Sequence, residues 1–134
     1  LLVKNNRLKL IDKWHSLNKE SELVYNVDFD DNITLFQVNG HTKGQIAVSI
    51  NYKERKLVYG GDFIPTKANI PIHYVAGYDI NPLKTMDEKH EFLNQAFLEN
   101  VILIFDHDIY NECATLLQSD KGIIAGNSLS LGSI

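Results

Sequence analysis

The sequence lacks several features that would assign it to a common class of protein. Its single cysteine, Cys113, excludes an internal disulfide and a cluster of thiolate ligands, and it fits a reducing compartment such as the cytoplasm. No run of 18 apolar residues exists, so no membrane-spanning segment is expected. The chain has a net charge of −4 and no run of lysines or arginines. We therefore expect a cytoplasmic protein that binds neither membranes nor nucleic acids.

The two ends of the sequence are also informative. The chain starts at Leu1, without an initiator methionine and without the apolar core of a signal peptide, which indicates a fragment or a processed chain. Its 134 residues are enough for one domain with a real core, so we expect a single partial domain over residues 1–134. The serine and glycine content of residues 127–134 predicts a frayed tail.

Apolar periodicity predicts an α+β fold. Alternating or continuous apolar stretches predict strands at residues 21–27, 33–38, 45–52, 56–59 and 101–105 and a closing hairpin over 114–125. A short amphipathic helix is predicted over residues 7–18. The capping-box pattern from Thr85 to Glu88 predicts a second helix that starts with Thr85 as N-cap and ends near Asn100. Residues 63–83 form a long apolar loop, which we interpret as a pocket wall.

Three predicted strands end in a polar turn that carries a histidine or an aspartate. His41 lies in the turn Gly40–Gln45, Asp62 follows two glycines, and His107 follows the apolar run 101–105. Each residue alone has an ordinary structural explanation, as a turn, a cap or a backbone partner. Strands that run in the same direction would bring all three to one sheet edge, where imidazole and carboxylate groups suit zinc. Asp62 can bridge two ions because it has two oxygens.

Three motifs, in this order and spacing, resemble the C-terminal half of the metallo-β-lactamase superfamily, near its lactonases. They are Gly-His-Thr-Lys-Gly-Gln at 40–45, Gly-Gly-Asp at 60–62 and Phe-Asp-His-Asp at 105–108. The likeness to the lactonases comes from Asp-Phe-Ile-Pro-Thr at 62–66, Gly-Tyr-Asp at 77–79 and the capped helix. The resemblance implies half of an αββα sandwich, with a mixed sheet, flanking helices and two divalent metal ions, most simply zinc. It implies that His41 binds the first ion, Asp62 bridges both, and His107 binds the second.

The resemblance also implies a reaction and a partner. A metal-bound hydroxide would hydrolyse a lactone, ester, amide or thioester in a small-molecule substrate. Several neighbours of the ligands are expected to steady them or to line the substrate pocket: Thr42, Phe63, His73, Tyr74, Tyr78 and Asp108. A threonine in a turn equally often bonds its own backbone, and Asp108 can simply end the strand.

One part of the superfamily pattern is not found in these residues. The His-x-His-x-Asp-His motif, which supplies the other ligands and the catalytic aspartate, does not occur between Leu1 and Ile134. The first hypothesis is therefore a fragment of a metal-dependent hydrolase that is inactive alone and completed by an N-terminal half. The second is a non-catalytic half sandwich that acts as an interaction or structural module. Both predict self-association or packing on a partner, because half a sandwich exposes an apolar sheet face.

Overall fold

The computed structural model describes residues 15–18 and 21–134. Side chains are described from residue 28 onward. No helix among these residues is long and apolar enough to cross a membrane.

Within the described part of the chain, eight strands form one mixed sheet whose spatial order follows the sequence. They are β1 (His15–Asn18), β2 (Ser21–Asp28), β3 (Ile33–Val38), β4 (Gln45–Tyr52), β5 (Arg55–Tyr59), β6 (Ile102–Ile104), β7 (Cys113–Ser119) and β8 (Gly122–Leu129). All neighbouring strands are antiparallel except β5 and β6, which are parallel. A parallel pair requires a crossover, and here it contains two short 3-10 helices (Gly61–Phe63 and Lys67–Asn69) and the helix α1 (Pro82–Leu98).

Helix α1 covers one face of the sheet. Its side chains Phe92, Leu93 and Ala96 are buried against residues of the central strands such as Phe36 and Leu103. The rings of Phe36 and Phe92 meet edge to face, with centroids 5.9 Å apart. Phe92, Leu93 and Ala96 form an apolar stripe on one side of the helix, which explains why the helix packs on the sheet.

The opposite face of the sheet carries its own apolar side chains. Cross-strand register places Ile50, Leu57 and Ile102 side by side on this face, and Cys113 continues the row. A small cluster of Leu57, Ile102 and Cys113 is buried there, while Ile46 is 44% exposed. The sheet thus has apolar residues on both faces, as a sheet in a layered sandwich does.

Most predicted elements are confirmed, but three local predictions are wrong or differ in extent. The helix predicted over 7–18 is contradicted at its end, because His15–Asn18 form β1 and pair with β2. The rest of that segment lies outside the described residues. The tail predicted to fray over 127–134 instead continues β8 to Leu129 and ends in a 3-10 turn. Glu112 fixes this end, since its carboxylate accepts hydrogen bonds from Ser130 and Leu131.

The start of α1 also differs from the prediction. The helix begins at Pro82, and its N-cap is Asn81, whose side chain accepts a hydrogen bond from the Lys84 backbone N–H. Proline at the first helical position and asparagine before it are a favoured start. Thr85 lies about one turn inside the helix and Glu88 nearly two, and both are fully buried. The capping-box pattern was therefore a coincidence of spacing, and Glu88 serves another purpose described below.

Candidate metal centre

Strand direction explains why His41, Asp62 and His107 meet. β3 and β5 both pair antiparallel with β4, so they run the same way, and β6 is parallel to β5. The carboxyl ends of β3, β5 and β6 therefore lie at one edge of the sheet. His41, Asp62 and His107 follow these three ends.

The carboxylate of Asp62 lies between the two imidazoles. Its Oδ2 is 3.6 Å from Nε2 of His41, and its Oδ1 is 3.2 Å from Nε2 of His107. The His41 side chain is 13% exposed, whereas those of Asp62 and His107 are 38% and 57% exposed. One oxygen of Asp62 faces each histidine, and the exposure of Asp62 and His107 leaves the group open to solvent.

A fourth residue, Asp79, holds the other nitrogen of His41. Its Oδ1 is 2.9 Å from His41 Nδ1, and its side chain is only 1% exposed. Because an ionised carboxylate only accepts hydrogen bonds, the bond to Asp79 uses a proton on Nδ1, and Nε2 is the ring nitrogen that faces Asp62. The remaining oxygen of Asp79 is buried without a hydrogen-bond partner among the described residues.

The turn that carries His41 is closed by its own residues. The Asn39 side chain accepts a hydrogen bond of 2.9 Å from the Gly44 backbone N–H. Gly44 has a φ of +80°, a conformation that glycine adopts without strain. The Gly40 and His41 carbonyls accept hydrogen bonds from Asn81 and Ile80, immediately before α1. The turn is therefore fixed both internally and against the segment that contains Asp79.

Two tyrosines border the group. The Tyr78 ring meets the His41 ring edge to face at 5.4 Å between centroids. Partial burial, together with Asp62, Asp79 and Asp106 nearby, raises the pKa of Tyr78. The Tyr59 hydroxyl donates to Asp106 Oδ2 over 3.1 Å. The tyrosines thus remain neutral donors beside a concentration of carboxylates.

The other residues expected near the site occupy varied positions. Thr42, His73 and Tyr74 are exposed, and Tyr74 and Tyr78 belong to the irregular segment predicted as a pocket wall. Phe63 is instead a core residue, 3% exposed, whose ring packs on Phe92 at 5.6 Å between centroids.

Asp108 organises the loop after β6. It accepts hydrogen bonds from the backbone N–H groups of Lys67, Tyr110 and Asn111. Burial opposes its ionisation, but these hydrogen bonds dominate and lower the pKa of Asp108. The residue therefore ties the His107 loop to the loop after Asp62.

The donor set of His41, Asp62 and His107 is of a kind that divalent metal ions accept. Imidazole Nε2 atoms and a carboxylate with one oxygen towards each are ligands that zinc accepts. Among the described residues, no three His, Cys, Asp or Glu side chains are grouped so as to hold one metal ion by themselves. Sharing Asp62 between two ions would give each ion two ligands from this chain.

Sequence reasoning missed Asp79 and Tyr59 as members of this group. Asp79 lies 38 residues from its partner His41 in a loop without a periodic pattern, so no local signal pairs the two. The adjacent Asn81-Pro82, a helix-start signal, would have placed Asp79 beside the start of α1. Tyr59 falls on the exposed side of an alternating strand, where tyrosine is unremarkable.

Comparison with known proteins identifies the fold. No family model and no curated protein matches the chain. Among solved structures, it is similar to a probable metal-dependent hydrolase from Staphylococcus aureus, with 22% identity over 94% of this chain and a TM-score of 0.67. It is also similar to AidC, a dizinc quorum-quenching lactonase in complex with a product, with 16% identity over 78% of the chain and a TM-score of 0.65. An N-acyl homoserine lactone hydrolase matches 63% of the chain at 20% identity, with a TM-score of 0.57.

The chain covers less than half of the length of each of these structures. The chain spans 42% of the staphylococcal hydrolase, 36% of AidC and 34% of the homoserine lactone hydrolase. A further similar structure is the hydrolase AbOPH of the β-lactamase superfamily, with 16% identity over 73% of this chain and a TM-score of 0.62. The chain accordingly has the fold of half of a metallo-β-lactamase sandwich, as its motifs predict.

Proposed function

We propose that this chain supplies half of the dinuclear metal site of a hydrolase that cleaves a lactone, ester, amide or thioester. The observation that carries the proposal is the position of Asp62, with one carboxylate oxygen facing His41 and the other facing His107. In this assignment His41 and His107 each bind one ion, and Asp62 bridges the two. Asp79 holds His41 in the tautomer that a metal ligand requires.

The metal ions, when bound, would lower the pKa of a water molecule and polarise the carbonyl of the substrate. The chain's own residues hold the ligands and border the substrate. We assign Tyr78, which lies beside His41 and near Asp62, the role of hydrogen-bond donor to a polar substrate group. The remaining ligands and the catalytic aspartate would come from the rest of a longer protein, in line with relatives more than twice the length of this chain.

An open cavity beside His107 supports a substrate with an apolar portion. Its volume is about 690 Å³, and its apolar lining includes Pro71, Ile109 and Ile124. The product held by AidC, N-hexanoyl-L-homoserine, joins an apolar acyl chain to a polar head. We propose a substrate of the same general kind, with its carbonyl at Asp62 and its apolar part in this cavity.

The second sheet face supports the proposal that a further half packs on this chain. Ile46, Tyr59 and Leu117 on that face are 44%, 38% and 53% exposed. At roughly 25 cal/mol per Å² of apolar surface, covering them is favourable. The competing function, a non-catalytic module that self-associates, uses the same face but needs no metal.

Metal analysis of the complete protein tests the function. We expect about two zinc ions per complete chain and a large loss of zinc in Asp62→Ala and His107→Ala. His73→Ala and Asp87→Ala, which change an exposed histidine and an exposed aspartate, serve as matched controls. Equal zinc binding by all four variants would show that the ligand assignment is wrong.

A second measurement separates the hydrolase from the structural module. The complete protein should hydrolyse acyl lactones or esters, whereas the 134-residue chain alone should not. A protein that has no His-x-His-x-Asp-His segment, binds no zinc and forms a stable homodimer in light scattering would support the structural module instead.

A further inference from the structure

Two consecutive residues of α1, Glu88 and Lys89, are both fully buried, which is unusual for charged side chains. No ion pair joins them to each other or to another described side chain. Each side chain instead forms hydrogen bonds to the backbone of a different loop at the candidate site. Glu88 binds residues 39–40, and Lys89 binds residues 69–74. Burying an unpaired charge costs free energy unless hydrogen bonds compensate for the lost hydration. The burial of Glu88 and Lys89 therefore needs a physical explanation.

Glu88 holds the turn that carries His41. Its Oε1 accepts a hydrogen bond of 2.8 Å from the Asn39 N–H, and its Oε2 accepts one of 2.9 Å from the Gly40 N–H. The packing here is close, because a Cβ on Gly40 would lie 2.3 Å from Oγ1 of Thr85, one turn earlier on the helix. The backbone just before His41 is therefore pressed onto α1 and bound there by a carboxylate.

Lys89 holds the loop that leads to Asp79. Its Nζ lies 2.5 Å from the Asn69 carbonyl oxygen, 2.8 Å from that of Pro71 and 3.1 Å from that of Tyr74. The Ile72 carbonyl oxygen is 3.4 Å away. An ammonium group has three protons, so these four carbonyls use its full capacity. The cation thus gathers residues 69–74 around one point on the helix.

The two loops meet in the hydrogen bond between His41 and Asp79. His41 comes two residues after the Asn39 amide that Glu88 binds, and Asp79 comes five residues after the last carbonyl that Lys89 binds. We propose that Glu88 and Lys89 are positioning residues that set the separation of His41 and Asp79 through α1. The proposal rests on the proposed function only in treating His41 as a metal ligand.

Histidine NMR of the metal-free 134-residue chain tests this proposal without any activity. Ring ¹⁵N shifts report which nitrogen of His41 is protonated, and amide exchange reports the two anchored backbones. In Glu88→Gln the side-chain NH₂ group, which cannot accept a hydrogen bond, faces one of the two backbone N–H groups. One of the two hydrogen bonds to the turn is therefore lost. We expect exchange at Asn39 or Gly40 to become about tenfold faster or more, as expected for losing a hydrogen bond to a buried charge.

Lys89→Met has nearly the same shape but no donor, so the four carbonyls lose their partner. We expect faster amide hydrogen exchange in the loop that begins at residue 69. We also expect the ring ¹⁵N shifts of His41 to change from those of one tautomer to those of a mixture. Asp87→Asn and Lys84→Met make the same kinds of change at more exposed positions of α1 and should leave both signals unchanged. Folded variants of Glu88 and Lys89 with the wild-type His41 spectrum would overturn the proposal.

If these variants do not fold, amide exchange in the wild-type chain tests the proposal instead. The Asn39 and Gly40 amides should then exchange as slowly as amides in the middle of α1. Exchange as fast as that of the neighbouring exposed residues Thr42 and Lys43 would contradict the proposal. All these signals are read without metal, so a failure of the proposed function leaves the test of positioning intact.

Discussion

Nδ1 of His41 lies 2.9 Å from Oδ1 of the buried Asp79, and this bond aims the opposite ring nitrogen at Asp62. Hydrogen-bonded carboxylates behind a ligating histidine commonly change metal affinity by about 10- to 100-fold. We expect Asp79→Asn to weaken zinc binding by the complete protein by this factor, because an amide can turn its N–H₂ towards Nδ1 and favour the wrong tautomer. Competition with a chromophoric zinc chelator measures the change.

The matched control for Asp79→Asn is Asp87→Asn, which removes the same charge from an exposed position on α1. That variant should bind zinc like the wild type. If both variants bind zinc with unchanged affinity, the contact between Asp79 and His41 has no role in holding the ligand.

Gly40→Ala should destabilise the fold. The added Cβ would lie 2.4 Å from the Thr85 backbone nitrogen and 2.6 Å from its Cα, so either the turn or α1 must move. Overpacking of this kind typically costs about 1–3 kcal/mol. Urea unfolding measures the cost, and Gly77→Ala is the control, because nothing lies within 4 Å of a Cβ there. Equal stability of the two variants would mean that the turn and helix are not in contact in solution.

The stability of the wild-type chain should depend on pH through Lys89. Burial lowers its pKa from 10.5 to about 8, although the charge of Asp79 acts in the opposite direction. Between pH 8 and 10.5 the unfolded chain therefore keeps a proton that the folded chain has lost. The free energy of unfolding consequently rises with pH over this interval, at most by about 1.4 kcal/mol per pH unit from this residue.

Comparison with Lys89→Met isolates this effect, since all other titrating groups are shared. The difference in unfolding free energy, wild type minus variant, should increase between pH 8 and pH 10. Lys84→Met should show no such difference in slope from the wild type. A difference for Lys89→Met that stays constant with pH would contradict the lowered pKa.

Cys113 should be unreactive in the native chain. Its side chain is fully buried and its Sγ donates to the Leu129 carbonyl over 3.1 Å. Burial, with a smaller contribution from Glu112, raises the pKa of the thiol and reduces the thiolate that reacts. We expect labelling by a thiol reagent to be about a hundredfold slower than in urea, where β7 and β8 are separated. Native labelling at the denatured rate would show that this end of the sheet is open.

The elements that sequence reasoning predicted well are those with a strong local pattern. β3 and β4 alternate regularly, and the apolar run that contains β6 is bounded by polar residues on its carboxyl side. Sequence reasoning also expected His41, Asp62 and His107 to share a sheet edge if their strands ran in the same direction, and the structure shows that they do. Their separation and the bridging orientation of Asp62 depend on loop conformation, which periodicity does not encode.

The elements that were missed depend on contacts between distant residues. Thr85 and Glu88 have the spacing of a capping box, and nothing nearby shows that Glu88 instead binds a turn 48 residues earlier. The leucine spacing before residue 18 fits a helix as well as strands, and pairing with β2 decided the conformation of His15–Asn18. In both cases tertiary contacts overrode a plausible local pattern.

The crossover between β5 and β6 has a consequence for the order in which the protein folds. The turn at residues 39–40 reaches its final form only when Glu88 arrives, and the β3–β4 hairpin can pair long before that. On a ribosome, the strands that follow His41 would leave the exit tunnel well ahead of α1. We therefore expect the site to form late, together with helix docking, because contacts of such long range form slowly.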